Sequence, residues 1–382
     1  MRMYQLEIPT KIYFGRGIAF QALAEEKVFL NGNVLIVTTG RSLNRLGYVE
    51  KLKKELQNLP NVKSVAIYDQ ISANPQLQEI TKAAEEGRKN RTDIVVGFGG
   101  GSAIDAAKAV AAVIGTGNSV ETLFYQHIEP DERTLPVVAI PTTAGTGSEL
   151  SKAAILSDYE KHKKGGVRGK NLYPKLAIVD SVFTETVPLH ITMETGFDVL
   201  AHAIESYVSK VASPFTKILS EQVISTAGKA LMELEEDIQN KEAREKMSYA
   251  SMIMGINLGN ASTAMPHRLQ YPLGAYTKTS HGSGLAAIYP TWIYYEYTVN
   301  SETIRKVLEQ LTGKEPTNAE QASGLMKDFL KQLQLPVSIR ELGVKENMLS
   351  ILAEDVSGNL ANDPLAETEN IIYKIYERAM KE

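Results

Sequence analysis

Asp93-Ile-Val-Val-Gly-Phe-Gly-Gly-Gly-Ser102 is the stretch on which the fold turns. A short β-branched run passes straight into glycines and then into the alanine-rich segment from Ala103 to Ile114. That order reads as a buried strand, a tight turn and a helix. Glycines let the backbone approach an anion, and free amides at a helix start, with the dipole behind them, stabilise its charge. Gly99, Gly100, Gly101 and Ser102 are therefore candidate phosphate contacts, with Ser102 the expected N-cap. A purely structural turn explains the run equally well, because the third glycine of G-x-G-x-x-G falls on Ser102 and no suitable acid follows.

The same alternation extends on both sides. Strands are expected at Asn33–Thr38, Ser64–Tyr68, Pro136–Ile140 and Ala177–Asp180, and helices at Tyr48–Leu59 and Gln76–Asn90, the latter capped by Ser72-Ala-Asn-Pro75. Strands alternating with helices predict a mostly parallel sheet with ligands beyond the strand carboxyl ends. A second loop lies at such an end. Pro141-Thr-Thr-Ala-Gly-Thr-Gly-Ser-Glu149 offers the hydroxyls of Thr142, Thr143, Thr146 and Ser148 on flexible backbone, as a nucleotide cradle needs. Thr38-Thr-Gly-Arg-Ser42 follows the first buried strand, where an adenosine ribose would lie, and it has no carboxylate. A carboxylate there selects NAD. Thr39, Gly40, Arg41 and Ser42 would instead receive a 2′-phosphate, so NADP is expected over NAD.

After Pro188 the strand-like runs thin out and helical patterns dominate. The expected domains are 1–185, α/β, and 186–382, all helical. Helices are expected at Met193–Val208, Phe215–Glu236, Arg244–Leu258, Ala286–Thr298, Ser301–Leu311, Ala319–Gln334 and Leu365–Met380. This half carries the metal-capable side chains. Asp198 and His202 lie four residues apart in a helix-favouring stretch, so both project from one face. His267 and His281 are separated by Pro272, Leu273 and Gly274, which suggests a helix that stops and a loop that folds the second imidazole back. One carboxylate and three imidazoles suit zinc or ferrous iron better than magnesium or calcium. Taken singly, each histidine reads just as well as a core or surface residue. Glu205 reads either as a group that orients an imidazole or as a solvated helix residue.

Bulk properties narrow the classes. The chain has 382 residues, and 41 basic against 45 acidic side chains give a net charge of −4, which offers no overall attraction to nucleic acid or an anionic membrane. No apolar run is long enough to span a bilayer, and the opening Met1–Pro9 lacks the apolar core of a signal peptide, so the cytoplasm is expected. With no cysteine, disulfides, thiolate catalysis and thiolate ligands are excluded.

With these residues in place, the chain resembles the iron-containing, or group III, alcohol dehydrogenase family from about Pro9 onward. Pro9-Thr-Lys-Ile-Tyr-Phe-Gly15 is similar to its entry strand, Asn74-Pro75 to its pre-helix turn, and Gly99 to Lys108, with Asp105, to its pyrophosphate motif. Thr195 to Glu205 and His267 to Gly282 resemble its two metal segments. The resemblance implies a Rossmann-like N-terminal domain and an all-α C-terminal domain, the fold shared with dehydroquinate synthase-like enzymes. It implies Fe2+ or Zn2+ held by Asp198, His202, His267 and His281, and a homodimer or larger homo-oligomer. The implied reaction passes a hydride between a nicotinamide, NADP(H) before NAD(H), and a small-molecule alcohol or aldehyde. The metal ligands are expected to face the sheet domain across a cleft. One departure matters. The family often has a further histidine four residues after the third ligand, near substrate and nicotinamide, where this chain has Tyr271. Tyr271 is a candidate proton relay, and its presence resembles branches that reduce phosphonate-bearing or otherwise functionalised aldehydes. Arg268 would pair with a carboxylate or phosphonate if it faces the pocket, but it is expected to point to solvent. A lyase of the dehydroquinate synthase type is the alternative enzyme class, and a non-catalytic nucleotide sensor the alternative outside enzymes.

Overall fold

β-branched residues that must leave water on both sides of a strand dictate a sheet covered on both faces. In the computed structural model, which describes residues 3–382, they form that sheet. Met1 and Arg2, which open the segment read for a signal peptide, lie outside the described residues. The chain divides into two units, residues 8–186 and residues 187–382, and the segment before residue 8 groups with the second.

In the first unit the strands are β1 (Lys11–Gly15), β2 (Gly32–Val37), β3 (Val62–Tyr68), β4 (Ile94–Gly99), β5 (Val137–Pro141), β6 (Ala153–Asp158), β7 (Lys163–Arg168) and β8 (Leu176–Asp180). Six form one sheet in the order β1-β8-β5-β4-β2-β3, with all pairings parallel. β6 and β7 make a separate antiparallel pair. Alternation along the strands sorts the core into two layers. Leu35, Val37 and Val95 pack on one face with Ala106, Val110 and Ile80. Val34, Ile36, Ile94, Val96 and Phe98 pack on the other with Leu52, Leu56 and Leu23. All six strands run the same way, so the loops after β2, β4 and β5 emerge at one edge of the sheet.

Two capping expectations are corrected. The Leu77–Lys89 helix is capped by Gln76 and Glu79 in a capping box, while Ser72 donates its hydroxyl to Glu79 Oε2 at 3.0 Å and does not cap. The Gly101–Thr116 helix has Gly100 as its N-cap, and Ser102 sits inside the first turn with its hydroxyl donating to the Ala73 carbonyl.

The second unit is helical, with its principal helices at Leu189–Val208, Pro214–Glu236, Lys241–Asn260, Met265–Thr277, His281–Thr312, Ala319–Gln332 and Ile371–Lys381. Here too the structure corrects the reading. Pro272 does not end a helix: the Met265–Thr277 helix runs through Pro272 and Gly274 and turns only at Lys278, whose φ is 58°. His281 lies on no loop, because it opens the next helix directly after its N-cap Ser280. That helix continues to Thr312 with one non-helical residue, Asn300, between the two segments read separately. The expected Leu365–Met380 helix is broken. A 3-10 turn covers Pro364–Glu367, and left-handed Asn370 precedes Ile371–Lys381.

Within the long helix Glu296 is buried near Asp363, with Oε1 accepting from Asn300 at 3.2 Å and Oε2 accepting no hydrogen bond. Burial first, and then the Asp363 charge, push its carboxyl from an ordinary 4.5 up to about 8. Between those values the folded state keeps a proton that the unfolded state releases, so stability falls as pH rises through that window. Glu296→Gln removes this dependence. The melting temperature of the variant relative to the parent should therefore climb as the pH of thermal unfolding is raised from ~5 to ~9, and a constant difference would contradict the assignment.

Candidate functional site

The Leu189–Val208 helix places Asp198 and His202 one turn apart on a buried face. The Met265–Thr277 helix brings His267, and the first residue of the following helix brings His281. Their ring nitrogens meet on one atom. Asp198 Oδ1 is 3.3 Å from His267 Nε2, 3.5 Å from His202 Nε2 and 3.6 Å from His281 Nε2. The His202 and His267 rings stack with centroids 4.5 Å apart. Asp198, His202 and His267 are buried, while the His281 side chain keeps 26% of its surface.

Donor chemistry and spacing both fit a divalent ion. Atoms bound at roughly 2.0–2.2 Å around a tetrahedral ion stand about 3.3–3.6 Å apart, which is the separation of each imidazole nitrogen from Asp198 Oδ1. Ligand atoms of Asp198, His267 and His281 all lie within 4.8 Å of one another, and His202 joins them through Asp198. Asp198 Oδ1 and His267 Nε2 are buried and make no hydrogen bond, an expensive arrangement unless something else is attracted to them. The electrostatics agree. Burial alone would push the Asp198 carboxyl up, yet His202, His281 and His267 hold it well below the usual carboxylate range. Burial alone would pull the His267 imidazole down, yet Glu205 and Asp198 push it up to about 10. The cluster demands positive charge.

Neighbouring groups set the tautomers. Glu205 Oε1 accepts from His267 Nδ1 at 2.7 Å, and its Oε2 accepts from the Ala264 amide at 2.8 Å. Of the two readings of Glu205, the orienting one holds. The Gln270 amide oxygen accepts from His281 Nδ1 at 2.6 Å, a partner that spacing did not reveal. Both bonds occupy Nδ1, so Nε2 is the nitrogen left to face Asp198 and to coordinate an ion once it gives up any proton it carries. Glu194 fixes the start of the last segment by accepting from Ser280 at 2.7 Å and Ser283 at 2.6 Å. Gly282 is needed there, because a Cβ would stand 2.3 Å from the Glu194 carbonyl oxygen. A serine just before His281 was the one sequence signal for this N-cap.

Two further residues are placed by the same helix. Tyr271 lies one turn after His267 and is buried. Arg268, expected at the surface, is only 4% exposed and donates from Nη1 to the Tyr271 phenol oxygen at 3.0 Å. The expectation fails because the segment 355–360 covers the side chain, with Asn359 accepting from Arg268 Nε at 3.5 Å.

In the first unit the two glycine- and threonine-rich loops abut. The Thr142 amide donates to the Gly99 carbonyl at 2.9 Å, and Thr143 and Thr146 side chains lie against Gly100 and Gly101. Asp105 and Ser148 face each other inside: the Ser148 hydroxyl donates to Asp105 Oδ1, and Asp105 Oδ2 accepts from the Ile155 amide at 3.0 Å. The pair ties the second loop to the helix of the first. Buried Lys108 adds a bond to the Ala153 carbonyl at 2.6 Å. Thr39, Arg41 and Ser42 follow β2 at the same sheet edge, with Arg41 and Ser42 exposed. Gly40 has φ +76°, and a Cβ would stand 2.4 Å from the Asp69 carbonyl oxygen. Glycine is thus required there whatever the cofactor. Sequence reading missed Asp69, whose carboxylate accepts from Asn44 at 2.7 Å beside this turn.

Comparisons with known proteins match both units of the chain. Residues 9–181 match the iron-containing alcohol dehydrogenase model, and residues 192–380 match the C-terminal model of the Fe-containing alcohol dehydrogenase family. The NADPH-dependent butanol dehydrogenase of Clostridium saccharobutylicum is 30% identical, over 98% of this chain and 97% of that protein. The NADH-dependent butanol dehydrogenase A of Clostridium acetobutylicum is 31% identical, over 94% of each. Among solved structures, sulfoacetaldehyde reductase from Bifidobacterium kashiwanohense in complex with NAD+ superimposes with a TM-score of 0.87 at 26% identity, covering 99% of each chain. Among the described residues no helix is long and apolar enough to cross a membrane. These matches, running along nearly the whole chain, decide between oxidoreductase and lyase: the chain belongs to the iron-containing alcohol dehydrogenase family.

Proposed function

We propose that the protein is a metal-dependent aldehyde reductase and alcohol dehydrogenase in which Asp198, His202, His267 and His281 hold ferrous iron or zinc and NADP(H) is the preferred nicotinamide. The observation that carries this reading is the approach of three imidazole nitrogens to within 3.3–3.6 Å of one buried carboxylate oxygen. A divalent ion supplies Lewis acidity toward a carbonyl or alcohol oxygen. NADPH, when bound, would supply the hydride for the new C–H bond and be oxidised to NADP+, and a protein group would supply the proton that completes the hydroxyl of the reduced aldehyde. Tyr271, on the helix face of His267, is the group we assign to deliver that proton. Glu205 and Gln270 keep the imidazoles in the tautomer that presents Nε2.

The NADP preference rests on the turn after β2. Arg41 is exposed there, and within Thr38 to Ser42 no carboxylate opposes a 2′-phosphate. Asp69 beside Gly40 keeps its negative charge, since its partner Asn44 is a neutral amide, so the preference is carried by Arg41 and by the lack of a carboxylate within Thr38 to Ser42.

Two measurements test the reading. Glu205→Gln keeps the shape but sets an amide against either His267 or the Ala264 N–H, and chelator competition should show roughly ten- to hundredfold weaker zinc binding; unchanged affinity would remove Glu205 from the site. Aldehyde reduction after reconstitution with Fe2+ or Zn2+, followed by NADPH and NADH oxidation, should require metal. In that assay Arg41→Ala should raise the KM for NADPH roughly tenfold and leave NADH nearly unchanged, and Tyr271→Phe should lower kcat without weakening cofactor binding. Equal effects of Arg41→Ala on both cofactors would overturn the NADP assignment.

A further inference from the structure

Among the described residues of the helical unit two arginines are buried, and they differ in how their charge is met. Arg244 gives Nη1 to the Thr192 hydroxyl at 2.8 Å, Nη2 to the Val187 carbonyl at 2.9 Å and Nε to the Ile238 carbonyl at 3.3 Å. Its fork is filled by the protein. Arg268 gives Nη1 to the Tyr271 phenol at 3.0 Å and Nε to the Asn359 carbonyl at 3.5 Å, at the limit of a hydrogen bond, with its guanidinium 5.6 Å from the centre of the Tyr271 ring. Nη2 is not among the polar atoms buried without a partner, which leaves that side of the fork open. Among the described residues no carboxylate lies within ion-pair distance of it, although it is 4% exposed. A guanidinium cannot shed its proton to escape burial, and a buried charge is costly unless it is paired. The fork is built for a planar or tetrahedral oxyanion.

Its position says which molecule would carry that oxyanion. Arg268 adjoins His267 in the chain, and its bond to Tyr271 carries the guanidinium to the residue one turn along from that ligand. The exposed residues Gly358 and Asn359 pack against it, with the Arg268 Cδ so close that a Cβ on Gly358 would stand 2.9 Å from it. We propose that Arg268, braced by Tyr271, is a specificity-determining residue that receives the anionic end of the substrate, so that the preferred substrate is an aldehyde bearing a carboxylate, sulfonate or phosphonate. The inference rests on the reductase reading of the same site, and the chemistry is that reading's hydride transfer, the anion being bound and left unchanged.

The test compares metal-loaded parent, Arg268→Leu and Arg268→Lys on butanal, succinic semialdehyde, sulfoacetaldehyde and phosphonoacetaldehyde with NADPH. For the parent, at least one anionic aldehyde should have a KM ten- to hundredfold below that of butanal, and the lowest identifies the anion. Losing the bond to Tyr271 lowers turnover of every aldehyde alike, so the readout is the ratio of kcat/KM on the anionic aldehyde to that on butanal: Arg268→Leu should lower this ratio ten- to hundredfold, and Arg268→Lys should restore part of it. Equal loss on butanal and on the anionic aldehydes would mark Arg268 as merely structural. No preference in the parent would overturn the proposal and leave the reductase reading intact. If no aldehyde is turned over, that reading fails, and the proposal is judged by calorimetry with propylphosphonate, propanesulfonate and butyrate: binding of at least one to the parent but none to Arg268→Leu sustains it, and no difference overturns it.

Discussion

A single oxygen, Asp198 Oδ1, is the atom to which the helical unit is referred. It is buried, carries charge, makes no hydrogen bond, and has three imidazoles pressed around it at 3.3–3.6 Å. An arrangement of this kind persists only when its surroundings over-determine it. Those surroundings are identifiable. The Leu189–Val208 helix supplies Asp198 and His202 at a fixed one-turn spacing, and four residues earlier Glu194 holds the serines on either side of His281. Glu205, three residues after His202, reaches across to His267. One helix therefore carries two of the four donors and aims the other two.

The sheet unit solves a different problem with backbone. Hydrophobic alternation in β2 and β4 fills both faces of the sheet, which leaves its carboxyl edge as the place where loops with free amides collect. Asp105, Ser148 and Lys108 spend their polar atoms on tying the second loop to the Gly101–Thr116 helix. Rigid loops matter for anion binding, because amides aimed in advance need not be reordered when a phosphate arrives.

Local pattern made much of this legible. The runs Val34–Val37 and Ile94–Val96 can hardly be anything but buried strands, and the glycine cluster after the second marks the turn into an alanine-rich helix. The i, i+4 spacing of Asp198 and His202 needs only a helix to put them together. What was not legible depends on partners distant in sequence. Gln270 meets His281 across eleven residues and Glu194 meets Ser280 across 86, and no periodicity encodes either contact. Asp69 lies beside Gly40 because β3 pairs with β2, a matter of strand order. Pro272 misled because its helix-breaking cost, ~3 kcal/mol, was weighed without the burial of Met265, Leu269 and Leu273 that offsets it. Arg268 misled for the converse reason: a charged residue is taken for a surface one until a covering segment 90 residues later is seen.

The account stands or falls on whether the four donors bind one ion. Crystals reconstituted with zinc or ferrous iron, measured on both sides of the metal absorption edge, locate the ion by its anomalous scattering. The prediction is one peak at roughly 2.0–2.2 Å from Asp198 Oδ1 and from the Nε2 atoms of His202, His267 and His281. A peak elsewhere, or one that leaves His202 or His281 outside bonding distance, would contradict it.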